Sequence, residues 1–117
     1  MALLNFQKQF APDVESGKKK QTIRSPRKHP IKEGETLYLY TGLRTKQARK
    51  LGEVECNTVY DIKIAAWGFQ MDPYTLTVLE DLDNIARADG FKDWEEMVTW
   101  FEKTHGLPFI GTLITWK

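Results

Sequence analysis

Apolar positions in this 117-residue chain alternate between a two-residue and a near-four-residue period, and the changes of period mark out its elements. Phe6, Phe10 and Val14 recur at four-residue steps, which predicts a short amphipathic helix, broken or restarted near Pro12 and ended by Gly17. Thr22-Ile23-Arg24 reads as a strand, and residues 25–35, with Pro26, Pro30 and Gly34, read as a loop. Residues 36–41, TLYLYT, are β-branched and aromatic between Gly34 and Gly42, a strong strand signal. Residues 42–52 form a second, basic loop with room for a helical turn. Residues 53–66, rich in Val, Ile and Thr, predict a long strand bent near Asn57. Turns follow at Trp67-Gly68 and Met71-Asp72-Pro73, then a strand over 74–79.

The four-residue rhythm then returns. Leu82, Ile85 and Ala86 predict a short helix stopped by Gly90. A second helix starts at Asp93 as N-cap, with Glu96 three residues on as in a capping box. Its stripe of Trp94, Met97, Val98 and Phe101 is spaced for a core-facing surface. Gly106 and Pro108 end it, and residues 109–116 close the chain as a strand. Several strands with helices at few points predict a small α+β fold, a partly closed β-barrel with short flanking helices, in one domain over 1–117.

Composition excludes more than it assigns. The hydrophobic fraction of 41% and charged fraction of 28% are those of an ordinary globular protein. Cys56 is the only cysteine, so no intrachain disulfide can form, and its strand-like neighbours make it a small buried apolar residue. With only His29 and His105 beside it, the usual zinc ligand set is not supplied, and no metal or other cofactor is expected. No apolar run approaches membrane-spanning length, and residues 1–10 do not read as a secretory signal, so the expectation is a cytoplasmic protein without a membrane partner.

Charge changes the picture. The net is only +1, yet residues 1–50 carry 12 Lys/Arg against 4 Asp/Glu, and residues 51–117 carry 5 against 12. Such asymmetry is the footprint of a polyanion partner, through phosphate contacts that supply affinity without sequence information. The densest feature is Gly17-Lys18-Lys19-Lys20-Gln21-Thr22-Ile23-Arg24. Gly17 allows a tight turn and Thr22-Ile23 favours extended backbone, so these lysines are held near the main chain. Two readings stand side by side: a site where lysines converge on an anion or one becomes desolvated enough to act as a base, and an edge strand protected by its lysines.

These residues also carry a resemblance. Gly17, Lys19 and Thr22 match the G-x-K-x-x-T signature of the ASCH domain, a PUA-like β-barrel family. Residues 40–46, YTGLRTK, resemble small stand-alone, often phage-associated members. So do residues 86–91, ARADGF, with the Trp-Glu-Glu helix and Pro-Phe-x-Gly strand that follow, so the resemblance runs in order over nearly the whole chain. It implies a barrel with a cleft facing RNA or a nucleotide-like ligand. Some small relatives are similar to amidohydrolases that deacetylate N4-acetylcytidine, and others are described as ribonucleases. Carried over, the implied catalytic residues are Lys19, Thr22 and Asp89, where that branch usually has Glu.

Each candidate has a structural alternative. A solvated lysine with a pKa of roughly 10.4 is no base near neutrality, but Lys19 in a dry barrel mouth loses its proton more readily. Thr22 needs a base beside it to be a nucleophile and is otherwise a β-branched strand residue. Asp89 before Gly90 equally suits the turn that closes a helix. Lys18, Lys20, Arg24, Arg44 and Lys46 read as anion contacts or as solvated charge. Trp67, at a strand end, is placed to stack on a base. Trp94 and Trp116 read as core, and Trp100 falls off the main apolar face of its helix. Three function classes follow: an RNA- or modified-nucleoside-binding domain, a metal-independent hydrolase of acylated nucleosides or a ribonuclease, and a phage-associated protein-interaction adaptor using the acidic half.

Overall fold

The computed structural model describes residues 2–117. Residues Ala2–Phe6 form β1, in which Ala2, Leu4 and Phe6 are buried while Leu3 and Asn5 are exposed. The two-residue alternation prevails here over the four-residue spacing of Phe6, Phe10 and Val14, because β1 pairs in parallel with residues 36–41. The first helix is accordingly shorter than expected, with α1 running Ala11–Ser16 and Pro12 in its first turn, where a missing N–H costs nothing. Gly17 caps it at φ 86°, the left-handed conformation that glycine adopts without strain.

The chain then runs through β2 (Gln21–Arg24), β3 (Thr36–Thr41) and the 17-residue β4 (Arg49–Ala65). The first residues of β4 take up the end of the expected basic loop, which is reduced to residues 42–48. Residues 68–71, which the sequence marks only by turns at either side, form the strand β5 (Gly68–Met71), hairpinned with β6 (Tyr74–Leu76). Two helices, α2 (Leu79–Ala88) and α3 (Trp94–Thr104), precede β7 (Phe109–Trp116). Asp93 caps α3 by accepting from the Glu96 N–H at 2.9 Å, and Glu96 reaches back to the Lys92 N–H at 3.0 Å.

Among the described residues the architecture is α+β, a mixed seven-stranded sheet with three helices. Its first arm is β1–β3–β4. The second half of β4 pairs with β7, which in turn pairs with β2, and the end of β4 also carries the β5–β6 hairpin. Both irregularities of register on this path fall in β4. Leu51 is passed over between the Leu39–Gly52 and Tyr40–Lys50 pairs, and Asn57 between the Cys56–Trp116 and Thr58–Thr115 pairs. No helix among the described residues is long and apolar enough to cross a membrane.

Two apolar clusters stabilise the sheet. One gathers β1, α1 and β3 around Leu4, Leu37, Leu39 and Trp116, and includes the buried free thiol of Cys56. The other packs α2 and α3 on β4, β5 and β7 through Phe69, Met97, Phe101 and Leu113. Trp94, Met97 and Phe101 are buried as the helical spacing predicts.

Candidate active site

A cavity of about 530 Å³ opens where the two clusters meet, with β1 on one side and β2 on the other. Residues 3–7, 22–25 and 27 supply those sides, and Phe10, Lys19, Asp89, Phe91, Trp100, Phe101 and His105 complete it. Its size is in the range of small-molecule sites.

Lys19 reaches the cavity because of its local backbone. After the Gly17 turn its N–H donates to the Asp13 carbonyl at 2.9 Å, and the Lys20 carbonyl accepts from the Trp116 N–H at 3.0 Å. Alternation along this extended run turns Lys19 and Gln21 inward and leaves Lys18 and Lys20 exposed. Lys19 is only 3% exposed. Its Nζ donates to the main-chain carbonyl of Asp89 at 2.5 Å and lies 3.2 Å from Asp89 Oδ1. Gln21 Nε2 donates to the same Oδ1 at 3.3 Å and to the Ile85 carbonyl at 3.4 Å.

Asp89 terminates α2, its own N–H bonded back into the last turn. The residue closes the helix, as the turn reading expects, and also delivers a buried carboxylate to the cavity. Burial pushes the Asp89 carboxyl above its ordinary range, against the opposing pull of Lys19 and Gln21. Burial likewise lowers the Lys19 ammonium, with Asp89 holding it back. Gly90, at φ 97°, follows immediately; a Cβ there would lie 2.9 Å from Phe10 Cδ1 and 3.5 Å from Lys19 Cδ.

Thr22 is buried in the cavity wall, and its Oγ1 accepts a 3.0 Å hydrogen bond from Arg24 Nε. The Arg24 guanidinium lies over the Phe6 ring, 4.8 Å from its centroid, and burial lowers its pKa to about 10, so it remains charged at neutral pH. Lys19 Nζ sits 5.2 Å from the Phe10 centroid. Phe10 in turn meets Phe91 edge to face at 5.6 Å, and Phe91 meets Trp100 at 5.7 Å. The cavity is thus a polar floor of Lys19, Thr22 and Asp89 inside an aromatic wall.

Of the residues singled out from sequence, Lys19, Thr22, Arg24 and Asp89 are brought together. Lys18, Lys20, Arg44, Lys46 and Trp67 are exposed and outside the cavity lining, Trp67 standing on the β4–β5 turn. Trp100 lines the cavity instead. Neither tyrosine of β3 does; Leu37 and Leu39 take the buried face and Tyr38 and Tyr40 the opposite one. Gln21, Phe6, Phe10, Phe91, Arg27 and His105 carry no local signal for this site, although the inward alternation from Lys19 is a pointer to Gln21. Among the described residues no group of three or more His, Cys, Asp or Glu is placed to hold a metal ion.

Compared with known proteins, the chain matches no family model, no curated protein and no solved structure.

Proposed function

We propose that this chain is an ASCH-like protein whose cavity takes a single modified nucleoside, and that Lys19, Thr22 and Asp89 hydrolyse an acyl amide on it, as in N4-acetylcytidine. The observation that carries this reading is the convergence of those three side chains, from segments far apart in sequence, on one aromatic-walled cavity. A partly closed, PUA-like barrel is supported by the path β1–β3–β4–β7–β2, whose two outer strands flank the same cavity.

The chemistry follows from the environment of each group. Lys19 in its neutral form takes the Thr22 hydroxyl proton, and Oγ1 attacks the acyl carbon. Arg24, already donating to Oγ1, stabilises the developing alkoxide. The C–N bond breaks and the Lys19 proton passes to the departing exocyclic nitrogen, leaving an acyl ester on Thr22. Water, deprotonated by Lys19, attacks that ester, the bond between Thr22 Oγ1 and the acyl carbon breaks, and Lys19 returns the proton to Oγ1 as the carboxylic acid is released. Asp89 holds Lys19 in place and steadies its charged form between the steps.

Incubation with N4-acetylcytidine, following cytidine and acetate by chromatography beside a Lys19→Ala control, tests this. Turnover lost in the control supports the mechanism; no turnover by the wild type removes it.

A second reading is binding of RNA without chemistry, favoured by the exposure of Lys18, Lys20, Arg44 and Lys46. It predicts RNA affinity that falls linearly with the logarithm of salt concentration, by about 0.7 log units per phosphate neutralised on a single strand for each tenfold rise in salt. Salt-insensitive binding, or none, would count against it.

A further inference from the structure

The charges around the cavity do not cancel. Its lining includes three cations, Lys19, Arg24 and Arg27, against one carboxylate, Asp89. Lys19 and Asp89 neutralise each other across 3.2 Å. Arg24 and Arg27 remain; among the described residues neither is in an ion pair, and the Asp89 carboxylate, already engaged by Lys19, favours the Arg24 charge only second to the opposing effect of burial. Arg27 acts on the carboxylate of Glu35 only as the last of several influences that lower it. Arg24 uses Nε on Thr22, while among the described residues its terminal nitrogens make no hydrogen bond and its plane is braced by Phe6. Burial penalises the Arg24 charge, a cost that a bound anion would offset. Ser25, between them in sequence, adds a hydroxyl to the same wall.

Two guanidinium groups and a hydroxyl beside a nucleoside-sized space match one chemical group above others. A phosphate group, with close to two negative charges as a monoester and one as a chain diester at neutral pH, accepts forked Arg donors in its own geometry. We infer that the ligand is a nucleotide, its base directed at Lys19 and Thr22 and its phosphate held by Arg24, Arg27 and Ser25. The identity of the base rests on the function proposed above; the phosphate site rests on the uncancelled charge alone. The phosphate belongs either to a free mononucleotide or to an RNA chain.

Calorimetry with cytidine, cytidine 5′-monophosphate and a single-stranded cytidine trinucleotide tests the inference. The monophosphate should bind about tenfold or more tightly than cytidine, the scale of one charge-assisted contact, and inorganic phosphate should compete with it. Arg27→Ala, in an exposed loop, should bring the two affinities within about twofold, as expected for loss of that contact. Lys63→Ala removes an equal charge away from the cavity and should leave their ratio unchanged. Tighter binding of the trinucleotide than of the monophosphate assigns the phosphate to RNA, and the reverse order to a free nucleotide. Equal affinity of wild type for cytidine and its monophosphate, or binding of neither, overturns the inference. Deacetylation measured in parallel separates the two ideas. Turnover without phosphate preference leaves the hydrolase standing and removes the phosphate site, whereas phosphate preference without turnover does the opposite.

Discussion

Lys19 and Asp89 lie 70 residues apart in sequence and meet through a 2.5 Å hydrogen bond to the Asp89 carbonyl and a 3.2 Å contact with its carboxylate. Both are all but withdrawn from solvent, so neither charge is tolerable there without the other. The pair ties the turn after α1 to the end of α2 and so joins the two apolar clusters across the cavity.

Removing one partner should therefore be costly. Lys19→Met leaves a buried carboxylate uncompensated and should lower stability by about 3–5 kcal/mol near neutral pH, whereas Lys19→Met with Asp89→Asn should recover much of that loss. Burial raises the folded-state pKa of Asp89 above its ordinary 3.8. The cost of the ionised form is thus fully present above the folded pKa and disappears as pH falls through it. Urea titrations at descending pH should show the Lys19→Met deficit narrowing. A deficit independent of pH would mean that the lost methylene packing, and not the charge, is responsible.

Activity should have the opposite dependence. In the proposed hydrolysis Lys19 would serve as a base only when neutral, and its pKa is lowered from 10.5 by burial, so kcat/KM should rise with pH and level off above that lowered value. The Asp89 charge raises the Lys19 pKa; Asp89→Asn removes that influence, so the rising limb should move to lower pH even as the maximum rate falls. A limb displaced toward alkaline pH would contradict the assigned role of Asp89.

Substitutions at Thr22 separate its proposed role as nucleophile from its place in the cavity wall. Thr22→Ser keeps the hydroxyl and the acceptor for Arg24 and should retain turnover, while Thr22→Val keeps the shape and should reduce kcat by about a hundredfold or more, the scale of losing a group that acts in the transition state. Retained turnover in Thr22→Val would make water the attacking group.

Gly90 should resist substitution. An alanine there must adopt φ near 97° and press on the Phe10 ring, so Gly90→Ala should cost about 1–3 kcal/mol in chemical denaturation. Because the same Cβ adjoins Lys19, KM or kcat should also change. An unaltered denaturation midpoint would show that Phe10 yields freely.

Much of this molecule is legible from local pattern. TLYLYT between glycines and the closing FIGTLITW are strands at the expected bounds, the Asp93 cap forms, and the bend near Asn57 is a true irregularity. β1 is not legible in the same way, because five residues satisfy both periods and only the pairing with β3 decides between them. β5 is similarly concealed between two turns. At the site, a glycine-turned lysine before a β-branched strand marks Lys19 and Thr22. Phe10, Phe91 and Trp100 read locally as ordinary apolar residues, since their meeting depends on contacts between distant elements. Charge density along the chain also misdirects: alternation sends Lys18 and Lys20 outward while Lys19 goes in.

The two residues of β4 passed over in pairing, Leu51 and Asn57, stand on the path that separates β1 from β2. An extra residue in one strand bends it and increases the local twist, and that coil decides how near the outer strands of a sheet come to one another. The width of the cleft is thus governed from a strand that contributes no side chain to it. Deleting Asn57 should uncoil the sheet and spread β1 from β2, loosening the grip on any ligand while every residue that touches the ligand stays in place in the sequence. Insertions and deletions in β4 are therefore a means of tuning ligand size that leaves the chemical groups untouched.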